Sequence, residues 1–152
     1  LVEVQALVCR TNFNMPRRTS AGTDYNRVNL LMAVIEKRIG LHLGDCDAYI
    51  NVAGGMRINE PALDMGIVLA VLSSYKNIAI DSKTICFGEV GLVGEVRAVN
   101  QAEQRVIEAA KLGFDRCIMP KVNCDSLNID SEQLKGMKLV GVKSIYELLE
   151  VI

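Results

Sequence analysis

An α/β fold follows from three observations on the 152-residue chain. Short β-rich apolar runs alternate with helical stretches. Gly or Pro punctuates several of their ends, and no segment repeats another. Half of the residues are hydrophobic, yet only 5% are aromatic and Trp is absent. The core must therefore be aliphatic, built from Val, Ile, Leu, Ala and Met. The length suits one domain with such a core, so residues 1–152 are expected to form a single domain.

The opening "LVEVQALV" is a β run. The polar "CRTNFNMPRRTSAGTD" that follows contains Pro16 and Gly22 and reads as a loop long enough to carry function. From Tyr25 to Ile39, Val28, Leu31, Met32 and Ile35 share one face, an amphipathic helix that Gly40 ends. "DAYINVAGG" is a short strand closing on the glycine pair Gly54–Gly55. In "INEPALDMGIVLAVLSSYK", Asn59 is a helix-capping type, and Glu60 and Pro61 suit a first turn. The helix that follows is expected to run about 17 residues, ~25 Å. It is apolar nearly all round from Ala62 to Leu72, which marks a central buried helix.

"TICFGEVGLVGEVRAV" reads as two β segments about Gly91 and Gly94, which can supply special backbone angles. A helix over "NQAEQRVIEAAKLG" is capped by Asn100 and closed by Gly113. "FDRCIMP" is a strand stopped by Pro120, and "GMKLVGV" another strand. "KSIYELLEVI" is a final helix with Ser144 near its start.

Several functions are disfavoured. A net charge of −1 gives no strong overall field for nucleic acid or membrane. Five scattered cysteines, odd in number and never in a C-x-x-C pair, read as reduced thiols of a cytoplasmic protein. There is no secretory signal and no apolar run of the ~18 residues that a membrane span needs, so no membrane partner is expected. The only histidine, His42, has no acidic or Cys partner at helical spacing, and no nucleophile-elbow sequence accompanies it. "GLVGEVRA" lacks the Lys-Ser/Thr ending of a P-loop, and "AGGMR" has only a glycine pair. No metal or cofactor is therefore expected here. The chain begins mid-strand without an initiator Met, and is expected to be a piece of a longer protein.

Charge is unevenly spread. Between residues 10 and 38, Arg10, Arg17, Arg18, Arg27, Lys37 and Arg38 face only Asp24 and Glu36, leaving that segment at +4 and the remainder at −5. "PRRTS" places two adjacent guanidiniums in a loop, and Arg27 lies in the first turn of the next helix. Such arginines can fork onto phosphate oxygens without reading bases. Arg17, Arg18 and Arg27 are the phosphate-contact candidates; solvated charges or subunit-interface ion pairs are the alternative. Only Phe13 and Tyr25 lie nearby, so a base-stacking platform is weak.

The strings "VAGGMRINEPALDMGIVLAVLSSYKN" and "FGEVGLVGEVRAVNQAEQRVIEAAKLGFDRCIMPK" resemble the C-terminal, Lon-protease-like domain of the bacterial DNA recombination and repair family RadA, also called Sms. "LVEVQALV", "PRRTSAGTDYNRVNLLMAVIEKRIGL" and "VGVKSIYELLE" extend the likeness over essentially the whole chain. The resemblance implies a Lon proteolytic-domain-like fold (ribosomal S5 domain 2-like), a mixed sheet with packed helices. Lon-type peptidases use a Ser–Lys dyad whose Ser follows a Pro at the start of a helix. The matching run "NEPALD" keeps Pro61 and puts Ala62 at the Ser position. Counted from "GEV" at Gly88–Val90, the Lys place falls on Glu103.

Alanine has no atom to attack a carbonyl, and glutamate offers a negative charge where a neutral amine must take the proton. Ser73, Ser74 and Ser82 lie far from that place along the chain. The resemblance thus implies a peptidase fold without peptidase chemistry. It further implies a parent protein that is a RecA/DnaB-type, DNA-dependent ATPase acting in branch migration. Zinc, ATP and Mg would be held by domains that precede this one. The implied partners are further copies of itself in a hexameric ring and single-stranded or branched DNA, with a recombinase filament as a further candidate. An oligomerisation module without DNA contact and an active Ser–Lys peptidase are the alternatives.

Overall fold

The computed structural model describes residues 1–12, 14–54 and 59–152. Phe13 and Gly55, each weighed above, lie outside them.

β1 (Glu3–Arg10) alternates an outward face with an inward one, so Val4, Ala6 and Val8 point to the core. It pairs antiparallel with β3 (Cys46–Ala53), Leu7 standing opposite Tyr49. The expected long loop holds a strand, β2 (Arg18–Ala21), which pairs parallel with β3 in the register Arg18 to Ala48. The first sheet, ordered β1-β3-β2, is therefore mixed. "RTSA" carries no apolar alternation; its pairing is decided by β3 alongside it.

Gly22 makes the turn out of β2 at φ +82°, and a Cβ there would lie 2.1 Å from the Val52 carbonyl oxygen. Only glycine fits both the angle and the space. α1 (Tyr25–Ile39) then starts at Asp24, whose carboxylate accepts from Asn26 N–H at 3.0 Å. It ends as expected on Gly40, left-handed at φ +85°, with its N–H on Glu36 O at 3.1 Å.

The long central helix has two parts. Pro61–Leu63 form a single 3₁₀ turn, and α2 (Asp64–Lys76) continues from it. No side chain caps the 3₁₀ turn, so Asn59 does not serve as expected. Gly88, further along the chain, supplies a partner instead: Met65 N–H donates to Gly88 O (3.0 Å), and Gly88 N–H donates in turn to Ala62 O (3.0 Å). Along α2, Met65, Ile67, Val68, Leu69, Val71 and Leu72 are all buried, which matches its all-round apolar sequence.

β4 (Thr84–Cys86), β7 (Arg116–Pro120) and β8 (Lys138–Val142) make a parallel sheet ordered β4-β7-β8. Between its first two strands come the small hairpin β5 (Glu89–Val90) and β6 (Val96–Arg97) and the helix α3 (Ala102–Lys111). α3 starts from Gln101 at φ +58° with no side-chain cap, so Asn100 is not its cap. Pro120 ends β7 as expected, but two short helices that the sequence did not announce follow, α4 (Lys121–Ser126) and α5 (Ser131–Leu134). The expected final helix is shorter, a 3₁₀ turn at Ile145–Glu147 running into α6 (Leu148–Val151).

Two apolar clusters result. The larger joins α1, α2 and the first sheet around Leu31, Ile35, Met65 and Leu72. The smaller lies beneath α3, where Ala62 and Phe87 meet Val106, Ala109, Cys117 and Met119.

Candidate functional site

Two arginines from different helices hold the 3₁₀ turn at Pro61–Leu63. At its far end Asp64 is 1% exposed. A carboxylate this deep is tolerated only when fully partnered. Arg27 Nε donates to Asp64 Oδ1 at 2.9 Å, Arg27 Nη2 donates to Oδ2, and Val90 N–H donates to Oδ2 at 3.0 Å. Arg27 Nη2 also reaches Val90 O at 3.0 Å. One forked pair thus ties α1 to α2 and to the hairpin. The Arg27 pKa is raised above its ordinary value, chiefly by the hydrogen bond to Asp64. Asp64 also sits in the first turn of α2, where a negative charge suits the helix dipole.

At the near end Arg105 from α3 pairs with Glu60. Its Nε donates to Asn100 O at 3.1 Å, and its guanidinium carbon lies 5.9 Å from the Phe87 ring centroid. This pair borders a groove of about 540 Å³ that includes Ala62, Gly66, Ile85, Phe87, Glu108 and Leu112.

Ala62 is 6% exposed, and its methyl packs in the cluster under α3. Glu103 is not among the residues lining that groove. It lies on α3 with its Oε1 accepting from Asn128 N–H at 2.9 Å, and it borders a separate shallow depression with Val99 and Asn123. The α3 side chains that do line the Ala62 groove include Gln104, Arg105 and Glu108. The sequence does not single out Arg105, because its role depends on the fold bringing α3 against Glu60, 45 residues earlier. Ser73 and Ser74 are engaged at the other end of α2. Ser73 Oγ donates to Ile78 O at 2.5 Å, and Ser74 Oγ accepts from Val8 N–H at 2.9 Å.

The three candidate arginines are distributed unequally. Arg27 is committed to Asp64, as described. Arg18 is half-buried and donates from Nη2 to Leu43 O at 2.5 Å. Arg17 is exposed; its backbone N–H donates to Asp47 Oδ1 at 2.7 Å and its carbonyl accepts from Ala48 N–H at 2.8 Å. The sheet register brings Arg10 to the same end, opposite Cys46 and near Asp45 at 3.5 Å. Arg10, Arg17 and Arg18 thus share one end of the first sheet with Asp45 and Asp47. Alternation along β1 could not place Arg10 beside a segment that reads as loop.

Among the described residues, no group of three or more His, Cys, Asp or Glu side chains is placed to hold a metal ion, and no helix is long and apolar enough to cross a membrane. Two thiols are held protonated: burial pushes the buried Cys117 up to about 12, with Cys124 adding to the shift, and desolvation also raises the half-buried Cys86.

The domain family described as subunit ChlI of Mg-chelatase matches this chain over residues 22–123, from the turn before α1 into α4. That span is more than half of the chain, and the chain belongs to this family. Along nearly its whole length it is also similar to bacterial proteins named DNA repair protein RadA, which bears out the likeness read from the sequence. It is 48% identical over 151 residues to that of Halalkalibacterium halodurans, covering 99% of this chain and 32% of the relative. With the Bacillus subtilis protein the identity is 50% over 149 residues, 98% of this chain and 32% of the relative. With the Streptococcus pneumoniae protein it is 45% over 150 residues, 99% and 35%. The chain spans about a third of the length of these relatives.

Proposed function

We propose that this chain is a non-proteolytic scaffold domain of a RadA-type DNA repair and recombination protein, with the Lon proteolytic-domain-like arrangement that its sequence implies. It acts by self-association into a ring and by contacts to the DNA backbone. The parent protein is a cytoplasmic, DNA-dependent ATPase of the RecA/DnaB type that drives branch migration, with ATP, Mg and Zn held outside this domain. Identities of 45–50% along nearly the whole chain support the repair role.

One observation carries the non-proteolytic reading. Ala62 fills the place of a nucleophile with a packed methyl, and Glu103 turns its carboxylate to Asn128 N–H rather than to the groove. Neither a hydroxyl nor a neutral amine stands at the two dyad places. Purified protein is expected to leave an unfolded polypeptide uncut, and hydrolysis would overturn the reading.

The DNA contact rests on Arg17 and Arg18. Arg27 supports it indirectly by fixing the helix that follows. The test is DNA binding by the protein over a salt series, with and without Arg17→Ala/Arg18→Ala. Removing one phosphate-neutralising arginine should flatten the log–log salt slope by about 0.7–0.9. Unchanged affinity and slope would overturn the role of Arg17 and Arg18 and favour the reading of this domain as a self-association module.

A further inference from the structure

At the tip of the β5–β6 hairpin, Leu92 and Val93 are 66% and 61% exposed. Two adjacent aliphatic side chains standing clear of the core gain hydrophobic stabilisation only when something covers them. The tip is well braced. Gly91 N–H donates to Glu95 O (2.9 Å), Gly94 N–H to Gly91 O (3.0 Å), and Val93 N–H to the Glu95 carboxylate (3.2 Å). Its base is gripped through both backbone groups of Val90 by the Arg27–Asp64 pair. Its return strand is tied by Val96 N–H to Lys143 O (2.8 Å) and by Ile145 N–H to Gly94 O (2.9 Å). Little ordering entropy remains to be lost on docking.

The same chain carries a complement. The groove beside Ala62 has an apolar floor of Ala62, Ile85, Phe87 and Ala109, with Leu112 (53% exposed) at its lip. No residue of the hairpin lines it, and its volume of about 540 Å³ accommodates two aliphatic side chains. Charge agrees in sign. Arg38 is exposed on the hairpin side, where a Cβ on Gly94 would lie 3.4 Å from its stem. Glu60 and Glu108 rim the groove, and Arg105 offsets only Glu60. Among the described residues, neither Arg38 nor Glu108 has an ion-pair partner.

We propose that the Leu92–Val93 tip of one copy docks into the groove beside Ala62 of the next. This rests on the self-association reading above and names its two faces. A contact between two different patches is heterologous, and repeats head to tail until rotation closes a ring.

The test is sedimentation velocity on the wild-type protein, on Leu92→Asp/Val93→Asp, on Leu112→Asp, and on a 1:1 mixture of the two variants. The wild type is expected to assemble beyond a dimer. Each variant alone weakens assembly by at least about tenfold. The mixture yields a heterodimer and nothing larger, because one chain keeps its groove and the other its tip. A mixture that stays monomeric, or variants that assemble like the wild type, would overturn the docking while leaving self-association standing. Variants that assemble normally but lose DNA binding would assign the tip to nucleic acid and overturn it as well. A wild type monomeric at every concentration would remove the self-association reading and this inference with it. Should either variant melt early, charge reversal provides a second route. Arg38→Glu and Glu108→Lys each weaken assembly, and placing both in one chain restores it; failure to restore counts against the docking.

Discussion

The two arginine–carboxylate pairs that bracket Pro61–Leu63 share their chemistry and differ in their surroundings. In the Arg27–Asp64 pair the side chains are 31% and 2% exposed; in the Arg105–Glu60 pair they are 25% and 45% exposed. Asp64 has no route to water and depends on three donated hydrogen bonds from Arg27 and Val90. Glu60 can exchange its arginine for solvent. A buried pair is therefore a structural commitment, whose loss strands a charge, whereas an exposed one contributes little to stability. The turn at Pro61–Leu63 is held by its buried end.

Breaking the buried end should have the largest effect. Arg27→Ala leaves the Asp64 carboxylate uncompensated and is expected to cost about 3 kcal/mol, the lower end for buried pairs because Arg27 itself meets solvent. Urea unfolding measures this, and a cost below about 1 kcal/mol would place the pair with ordinary surface bridges. Arg105→Ala should lie in that lower class, at about 0.2–1 kcal/mol, with some loss from its position over Phe87. A cost equal to that of Arg27→Ala would erase the distinction between the two ends.

Thiol chemistry sharpens the same comparison with a smaller signal. Cys117 lies in the cluster with Ala62, and its pKa is pushed up to about 12, so it labels only when the structure opens. Exposed Cys9 should label at once in every variant. Arg27→Ala should speed Cys117 labelling by roughly 100-fold, following the loss of global stability. Arg105→Ala should change it by no more than about fivefold.

The sequence shows why one end of this arrangement was legible and the other was not. Apolar periodicity places α1, and the all-round apolar run places α2, because burial imposes a repeat on consecutive residues. β1 is visible for the same reason. β2 is not, since its four residues are chosen by a partner strand some 30 positions away. That Ala62 offers no nucleophilic atom is readable because it follows from the residue type at one position. Arg27 reads as one more cation of a basic segment, and nothing local indicates a carboxylate 37 residues on. The basic segment itself is only partly a surface: Arg17 is exposed, Arg18 half-buried, and Arg10 joins them only through the sheet register.

Arg27 and Asp64 act as one unit that holds the turn. Equilibrium unfolding of Arg27→Ala, Asp64→Ala and the double variant measures this directly. If the pair is a unit, removing the second partner relieves the stranded charge, and the double variant costs about 2–3 kcal/mol less than the two single losses combined. Losses that add to within about 0.5 kcal/mol would contradict the account, since each residue would then be acting alone.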